Sequence, residues 1–334
     1  MPRALLGVGI ALLALLPLSG IGNYPLHLVI SCLLWGYVYT SWSVMGRLGL
    51  VSFGHGAFLG IGAYSVVMLW NHFGVSPWLG AIAGVVVSIL IALMIGFPCF
   101  RFKIVGHYFA LVTLALSEVT RLVIVALRDQ TGGSLGATPN NALAQGVTIS
   151  FEALQFQSKA AWLYIILVFW LLGLWVWHLV DRSMTRLALE AISQEEDAAA
   201  SIGINVTKSK LFVTLISAVM TSIGGALYAQ YQLYINPETV SGIGISLQMV
   251  FGVIAGGMYV MLGPTVGAAF TLLLAEGLRL ALGEHFKQFP ALDLAIYGLL
   301  LVLFIIYLPK GILGAALDAW KNRDVPRIPV AAKK

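Results

Sequence analysis

Charged residues are scarce in this sequence of 334 residues, at 10% of the chain, whereas a typical soluble domain carries about 25%. Hydrophobic residues account for 59%, and the mean hydropathy is +0.92. A water-soluble fold cannot cover so much apolar surface, so lipid is the expected solvent. The scarcity of charge therefore excludes an ordinary soluble globular protein, and no nucleic-acid partner is expected.

Cysteine is also rare, since Cys32 and Cys99 are the two cysteines of the chain. Both lie in or beside apolar stretches, where a free cysteine packs as a small hydrophobe. No cysteine and histidine spacing is typical of a zinc site, so no metal site is expected. The apolar run Leu5–Leu18 resembles a signal peptide, but no convincing cleavage site follows it. We interpret it as a retained first helix.

Several catalytic motifs are missing. A phosphate-binding loop needs a Gly-Lys dipeptide, which this sequence lacks, as it lacks HExxH and GxGxxG. The chain is therefore not expected to be an enzyme or to hydrolyse nucleotide itself, and transport is the default expectation. An intramembrane enzyme is a rival, but it would need a cluster among His55, His107, Glu118 and Glu276. Nothing in their spacing places them together.

Long apolar runs dominate what remains. A spanning helix needs about 20 mostly apolar residues, which predicts an all-α, polytopic transmembrane helical bundle of about ten spans within a permease domain at 1–308. The third and eighth predicted spans are rich in glycine and are expected to be broken or re-entrant. The predicted segments are 4–22, 26–45, 51–70, 78–98, 104–127, 160–180, 208–230, 241–262, 265–283 and 290–308.

Basic residues are distributed unevenly between the predicted loops. Most of the 19 lysines and arginines fall on the side that holds both termini, including a basic tail at 309–334. By the positive-inside rule, both termini are cytoplasmic. The long loop at about 128–159 is then external. The loop at about 181–207 is cytoplasmic, and its helix-forming composition up to Gly203 favours a docking surface over a solvated connector.

Small and polar residues crowd the third predicted span. Such a stretch makes a poor lipid-facing helix, and irregular backbone at membrane depth is tolerated where protein or a water-filled cavity receives its polar groups. Discontinuous helices of this kind often face substrates, although a tight glycine-mediated helix crossing is the alternative. The candidate pathway residues are Ser52, Phe53, Gly54, His55, Gly56, Phe58 and Tyr64.

Two charged pairs lie inside predicted helices, Glu118 with Arg121 and Glu276 with Arg279. The i,i+3 spacing places each pair on one helix face. Ionisable groups at membrane depth are costly and usually face the bundle interior or water. Both pairs fall toward the predicted outer ends of their helices, where they form an outer gate or tie helices together.

Several blocks then resemble a known family. SFGHGAFLGIGAY, TGGSLGA, RLALEAISQEEDAAASIGINVTKSKL, AVMTSIGGALYAQYQLYINPETV and GGMYVMLGPTVGA follow one another between about residues 49 and 269. Together they resemble the ATP-binding-cassette permeases of branched-chain amino-acid importers, specifically the LivM-type subunit. The sequence departs from the family pattern at three places. Gly56 stands where alanine is usual, and the basic residue expected near Gln194 is missing. Residues 258–261 stand where the family usually has small residues in the turn between Gly257 and Gly263.

The resemblance implies a coupling helix that sits in a groove of an ATPase subunit. The residues that match that signature, with aspartate in place of the usual glutamate, are Glu195, Glu196, Asp197, Ala198, Ala199 and Gly203. It also implies a second homologous permease subunit, two cytoplasmic ATP-binding subunits that carry ATP and Mg, and an external substrate-binding protein, so this chain needs no cofactor of its own. The expected location is a bacterial inner membrane, and the expected cargo is a branched-chain or related amino acid. An importer of urea or short amides and a stand-alone secondary transporter are the alternatives.

Overall fold

A computed structural model describes residues 3–104, 106–143, 149–283 and 292–321. The described chain is mostly helical, and its two strands form an antiparallel hairpin in which Ile149 of β1 (Ile149–Ser150) lies opposite Phe156 of β2 (Gln155–Phe156). The helices are α1 (Arg3–Leu15), α2 (Asn23–Gly46), α3 (His55–Phe73), α4 (Pro77–Arg101), α5 (His107–Ala126), α6 (Arg128–Thr131), α7 (Lys159–Arg182), α8 (Met184–Gln194), α9 (Glu196–Ser201), α10 (Val206–Gln232), α11 (Pro237–Val240), α12 (Ile243–Gly256), α13 (Gly263–Gly283), α14 (Leu292–Tyr307) and α15 (Gly311–Lys321).

The all-α membrane bundle is confirmed, whereas the number of spans is not. Each of the ten predicted segments contains a helix. Among the described residues, six helical stretches are long and apolar enough to cross a membrane, namely α2, α4, α5, α7, α10 and Pro237–Gly256. The apolar parts of α1 and α14 are shorter, at Gly7–Ser19 and Ala295–Phe304. About ten spans therefore stays a prediction.

Local sequence signals explain several helix boundaries. The side chain of Asn205 caps α10 by accepting a hydrogen bond from the Lys208 backbone N–H at 3.0 Å, and Asn236 caps α11 in the same way. Proline stands at the first position of α4, where its missing N–H costs nothing. Gly74 ends α3 with φ of +62°, a left-handed conformation that glycine adopts readily.

Both glycine-rich segments are interrupted. The third predicted span has no helix before His55, because residues 47–54 form turns and irregular backbone. The eighth, predicted at 241–262, contains α12 and ends in a turn at 257–262, and the short α11 lies directly before it. In the first of these stretches, the indole N–H of Trp42 donates a hydrogen bond to the carbonyl oxygen of Ser52 at 2.7 Å, which gives this irregular backbone the polar partner that membrane depth requires.

Helix α2 forms the centre of the bundle. Of its most apolar 18-residue stretch, 83% is buried, compared with 28% for α4, which leaves α4 on the outside. The other central contact joins α3 to α10, where glycines permit close backbone approach. A Cβ atom on Gly62 would lie 1.9 Å from the carbonyl oxygen of Ser222, and one on Gly225 would lie 2.0 Å from that of Leu59.

Loop contacts define two ends of the bundle. At the first, which we call the α8–α9 end, the turn after α2 reaches α7 through Arg47 and Asp181, and the α4–α5 turn reaches α9 through Lys103 and Asp197. At the second, the long-loop end, Phe151 and Glu152 accept hydrogen bonds from the α3–α4 turn and the start of α4, and Ala137 pairs with Ile235. Which of these two ends faces the cytoplasm stays a prediction.

The predicted tail at 309–334 is only partly described. Its first portion is α15, which packs against α12 and α13. Gly311 lies so close to the α12 end that an added Cβ would meet the Gly257 backbone nitrogen at 2.4 Å. Residues 322–334, which hold four of the six basic residues of the predicted tail, lie outside the described residues.

Candidate functional site

The start of α3 is held by hydroxyl groups from other helices. The backbone N–H of Phe53 donates to Thr113 Oγ1 on α5 at 3.0 Å, and that of Gly56 donates to Ser246 Oγ on α12 at 3.0 Å. These bonds satisfy backbone groups that no intrahelical carbonyl accepts at a helix N-terminus. Three separate helices therefore meet at the break before α3.

His55 lies fully buried at this junction. Its Nε2 atom is 2.6 Å from Ser217 Oγ on α10, and Ser217 donates its hydroxyl proton to the carbonyl oxygen of Ser41 on α2 at 2.6 Å. A serine hydroxyl has one proton, and Ser217 already donates it to Ser41. His55 must therefore donate the hydrogen bond to Ser217 through Nε2–H, which leaves Nδ1 of the neutral imidazole unprotonated. Ser41 and Thr221 are joined by a further hydroxyl contact of 2.7 Å. The polar chain ties α2, α3 and α10 together.

The structure places the predicted pathway residues in the turn before α3 and in the first half of that helix. All seven are buried or half-buried, and they are Ser52, Phe53, Gly54, His55, Gly56, Phe58 and Tyr64. A Cβ on Gly56 would lie 2.7 Å from the hydroxyl oxygens of both Ser117 and Ser246. In this conformation the residues contact neighbouring helices, and their role in a substrate pathway stays a prediction.

The predicted coupling segment is a short helix that is anchored to the bundle by two acidic residues. Glu196 Oε2 lies 2.6 Å from Lys210 Nζ at the start of α10, and both side chains are largely buried. Asp197 Oδ1 lies 2.6 Å from Lys103 Nζ, but this pair is exposed. The hydrogen bond and the opposite charge lower the pKa of the Asp197 carboxyl and raise the pKa of the Lys103 ammonium.

The other residues of this segment divide between core and surface. Ala199 is buried, whereas Glu195, Ala198 and Gly203 are exposed. Gly203 has φ of +91° with open space around it, so a side chain there would be strained by backbone conformation and not by contact. The face of α9 that is turned away from the bundle is therefore free for a partner.

Large apolar side chains are exposed beside α9. Ile202 is 78% exposed, and Met184 and Leu187 on α8 are exposed as well. They lie at the α8–α9 end, beyond the ends of α7 and α10. Exposed apolar groups rimmed by charge mark interaction surfaces. We call Met184, Leu187 and Ile202 the α8–α9 apolar surface.

The two predicted charged pairs form, and each has a partner that the sequence did not reveal. Arg121 pairs with Glu118 on its own helix and also with Glu238 of α11, at 2.7 Å from Nη1 to Oε1. Arg279 pairs with Glu276 at 2.7 Å, and Glu276 accepts a hydrogen bond from Tyr24 of α2 at 2.5 Å. Both clusters lie toward the long-loop end and tie helices together there.

Arg47, which follows the last residue of α2, is a buried charge. Its Nη1 atom lies 2.9 Å from Asp181 Oδ1, and its guanidinium carbon lies 3.7 Å from the centroid of the Trp177 ring. The planar guanidinium suits both contacts. In the sequence, this arginine stands directly before the glycine-rich break. That position could have indicated a buried ion pair, because a buried charge needs an opposite charge from elsewhere in the fold.

Residues 132–136, Gly-Gly-Ser-Leu-Gly, have the G-x-S-x-G spacing of a nucleophile elbow. In a nucleophile elbow this spacing joins a strand to a helix. Here the residues follow α6 and form a single 3₁₀ turn at Gly133–Leu135. The context of a nucleophile elbow is absent from this segment. Among the described residues, no three histidine, cysteine, aspartate or glutamate side chains are grouped to hold a metal ion.

Known proteins are similar to this sequence over most of its length. A family model described as "Branched-chain amino acid transport system / permease component" matches residues 28–305. The LivM permease protein of the high-affinity branched-chain amino-acid transport system of Salmonella typhimurium is 28% identical over 288 residues, which cover 81% of this chain and 65% of that protein. The chain thus spans about 65% of the length of the LivM relatives it matches.

Two further relatives extend the comparison. The LivH permease protein of Escherichia coli is 25% identical over 281 residues, which cover 81% of this chain and 88% of LivH. The nucleoside permease protein NupC of Lactococcus lactis is 29% identical over 141 residues, which cover 41% of this chain and 43% of NupC. No solved structure matches the chain. Since the family model covers most of the sequence, the chain belongs to the family of branched-chain amino-acid transport system permease components.

Proposed function

We propose that this chain is a membrane-spanning permease subunit of an ATP-binding-cassette importer that carries branched-chain or related amino acids across a bacterial inner membrane. The observation that carries the proposal is the anchored helix α9 beside the α8–α9 apolar surface, in a family of transport permeases. No phosphate-binding loop occurs in the chain, so separate subunits supply ATP hydrolysis. The relatives named LivM and LivH support a second permease in the assembly.

The contacts suggest how movement reaches the membrane helices. An ATPase that pushes α9 also pushes α10, because Glu196 is ion-paired to Lys210. Helix α10 in turn carries α3 with it through the bond from His55 to Ser217 and through the close backbone crossing at Gly62. The three helices then move as one body. ATP drives this movement provided that it binds one conformation of the assembly better than the other.

The orientation follows from charge. The α8–α9 end carries most of the basic loop residues, so the positive-inside rule makes this end and both termini cytoplasmic. The ATP-binding subunits, which hold ATP and Mg, dock there. An external substrate-binding protein delivers cargo at the long-loop end. Residues 128–159 supply the surface that is available to it.

Reconstituted transport tests the proposal. The chain is purified with its co-expressed neighbours and placed in liposomes, and uptake of labelled leucine is measured with the binding protein outside and ATP inside. We expect uptake that requires ATP and that stops when the ATPase lacks its phosphate-loop lysine. Leucine uptake that survives this ATPase variant would identify a secondary transporter. ATP-driven uptake of urea or nucleosides without leucine would overturn the substrate assignment.

A further inference from the structure

A cavity of about 640 Å³ lies toward the long-loop end, between α2, α10, α11, α12 and α14. This volume is within the range of about 300–1,000 Å³ that small-molecule sites occupy. Glu238 and Thr239 stand at its exposed mouth, and Trp35 lies buried at its inner wall. From Gly244 to Phe251 the cavity follows α12 for about 10 Å, at 1.5 Å per residue.

The mouth carries a net negative charge. Arg121 is shared between the carboxylates of Glu118 and Glu238, so one negative charge remains uncompensated in this group of three. The Glu238 side chain is 69% exposed. A charge of this sign at the entrance favours a cationic group such as an ammonium.

The first turn of α12 adds hydrogen-bond donors to the same wall. Gly244 and Ile245 both line the cavity, and the first N–H groups of an α-helix lack intrahelical acceptors. Such groups favour a carboxylate. These N–H groups add a site for a negative group to the acidic mouth of the cavity. Other helices also begin with free N–H groups, but the first turn of α12 lines this cavity.

The inner part of the cavity combines aromatic faces with aliphatic side chains. Trp35 and Tyr228 pack edge to face with ring centroids 5.6 Å apart, and Tyr297 stands on α14. Phe251 and Leu301 complete an apolar lining, and Gln248 contributes an amide. This lining accepts a short aliphatic side chain and repels a strongly charged one.

Three other cavities of the described chain differ in this respect. They have volumes of about 570, 590 and 340 Å³, and no charged side chain lines any of them. Linings of that kind suit acyl chains of the surrounding lipid. Among these four cavities, the one beside α12 thus has a polar end, at Glu238 and Thr239, and an apolar end, at Phe251 and Leu301. Such a cavity suits a ligand with one charged end and one apolar end.

We propose that the cavity between α2, α10, α11, α12 and α14 is a binding site for a small zwitterionic amino acid with an aliphatic side chain. The ammonium group lies near Glu238, the carboxylate near the first turn of α12, and the side chain toward Phe251 and Leu301. The inference rests on the proposed function, and it places cargo on α12 and α10 and not on the start of α3. None of the seven predicted pathway residues lines this cavity.

A matched pair of glycine substitutions tests the site by filling it. A Cβ on Gly244 or on Gly277 would meet no atom within 4 Å, so both positions accept a larger side chain. Gly244 lines the cavity, whereas Gly277 on α13 does not. In the reconstituted complex, Gly244→Leu is expected to lower leucine uptake at least tenfold and Gly277→Leu less than twofold. Equal uptake by the two variants would overturn the site and leave the proposed function standing.

Protection of an introduced thiol tests binding without transport. Gln248→Cys is placed in the assembled complex with Cys32→Ala and Cys99→Ala, and its rate of labelling by a small thiol reagent is measured. Leucine is expected to slow labelling at least fivefold. 3-Methylbutylamine, which lacks the carboxylate, and 4-methyl-2-oxopentanoate, which lacks the ammonium, are expected to slow it less than twofold.

Each result of the labelling decides the matter. Equal protection by leucine and by the amine would show that apolar filling alone occurs there, as with lipid, and would overturn the proposal. Absence of protection by leucine in a complex that transports leucine would overturn the site as well. Absence of ATP-driven uptake by the unmodified complex would instead overturn the proposed function.

Discussion

The ion pair between Glu196 and Lys210 allows a prediction about the free energy of unfolding, because the cost of breaking the pair depends on how deeply each side chain is buried. The Lys210 side chain is 3% exposed, and that of Glu196 is 19% exposed. Glu196→Met leaves a nearly inaccessible ammonium without its carboxylate, and a buried pair broken in this way costs about 3–5 kcal/mol. Lys210→Met leaves a carboxylate that water reaches, so we expect a cost of only about 1–3 kcal/mol.

Both substitutions together complete a double-mutant cycle. The double variant leaves no charge behind and places two methionines of similar volume in contact. Replacement of a buried ion pair by apolar groups is often neutral or stabilising. We therefore expect its free energy of unfolding to lie within about 1 kcal/mol of that of the unmodified protein. The interaction free energy of the cycle is then favourable and large.

Unfolding of the purified subunit in mixed micelles measures these free energies. Circular dichroism follows the loss of helix as the fraction of denaturing detergent rises. We expect Glu196→Met to be more destabilising than Lys210→Met and the double variant to recover most of the lost stability. If the two single variants were equal and their effects additive, the pair would not anchor α9 to α10.

Three further predictions concern other contacts. Gly62→Ala is expected to destabilise the protein by about 1–3 kcal/mol, because its Cβ meets the Ser222 carbonyl, whereas Gly277→Ala should leave the detergent midpoint unchanged. Since Asp197 has a lowered pKa and Lys103 a raised one, their pair is intact from about pH 5 to pH 9; Lys103→Ala should shift the melting temperature equally across that window and lose its effect in stronger acid. Ile202→Asp should abolish leucine uptake at unchanged subunit stability, and normal uptake would refute the role of the α8–α9 apolar surface.

The helices at the α8–α9 end were predictable from the sequence. The segment 181–207 contains good helix formers and ends near Gly203, and the structure has α8 and α9 there. The breaks before α3 and after α12 were also foreshadowed by glycine. These features depend on residues that are close together in the chain, where local preference suffices.

The contacts that organise the candidate sites were not predictable in this way. Arg121 and Glu238 are 117 residues apart, and His55 and Ser217 are 162 apart. Their meeting depends on how helices cross, which periodicity does not specify. The cavity beside α12 is lined by five helices. None of its polar residues belongs to a recognisable sequence motif, so the sequence does not indicate that they lie together. The number of spans stays a prediction, because the apolar parts of α1 and α14, at Gly7–Ser19 and Ala295–Phe304, are shorter than the about 20 residues that a spanning helix needs.

The orientation of the bundle underlies the whole account, and thiol labelling tests it directly. Ser201→Cys on α9 and Ser150→Cys in the long loop are placed singly in a protein with Cys32→Ala and Cys99→Ala. Intact cells are treated with a thiol reagent that does not cross the inner membrane. We predict that Ser150→Cys is labelled at once and that Ser201→Cys is labelled only after the membrane is opened. Labelling of Ser201→Cys in intact cells would place α9 outside the cell and contradict the proposed coupling to an ATPase.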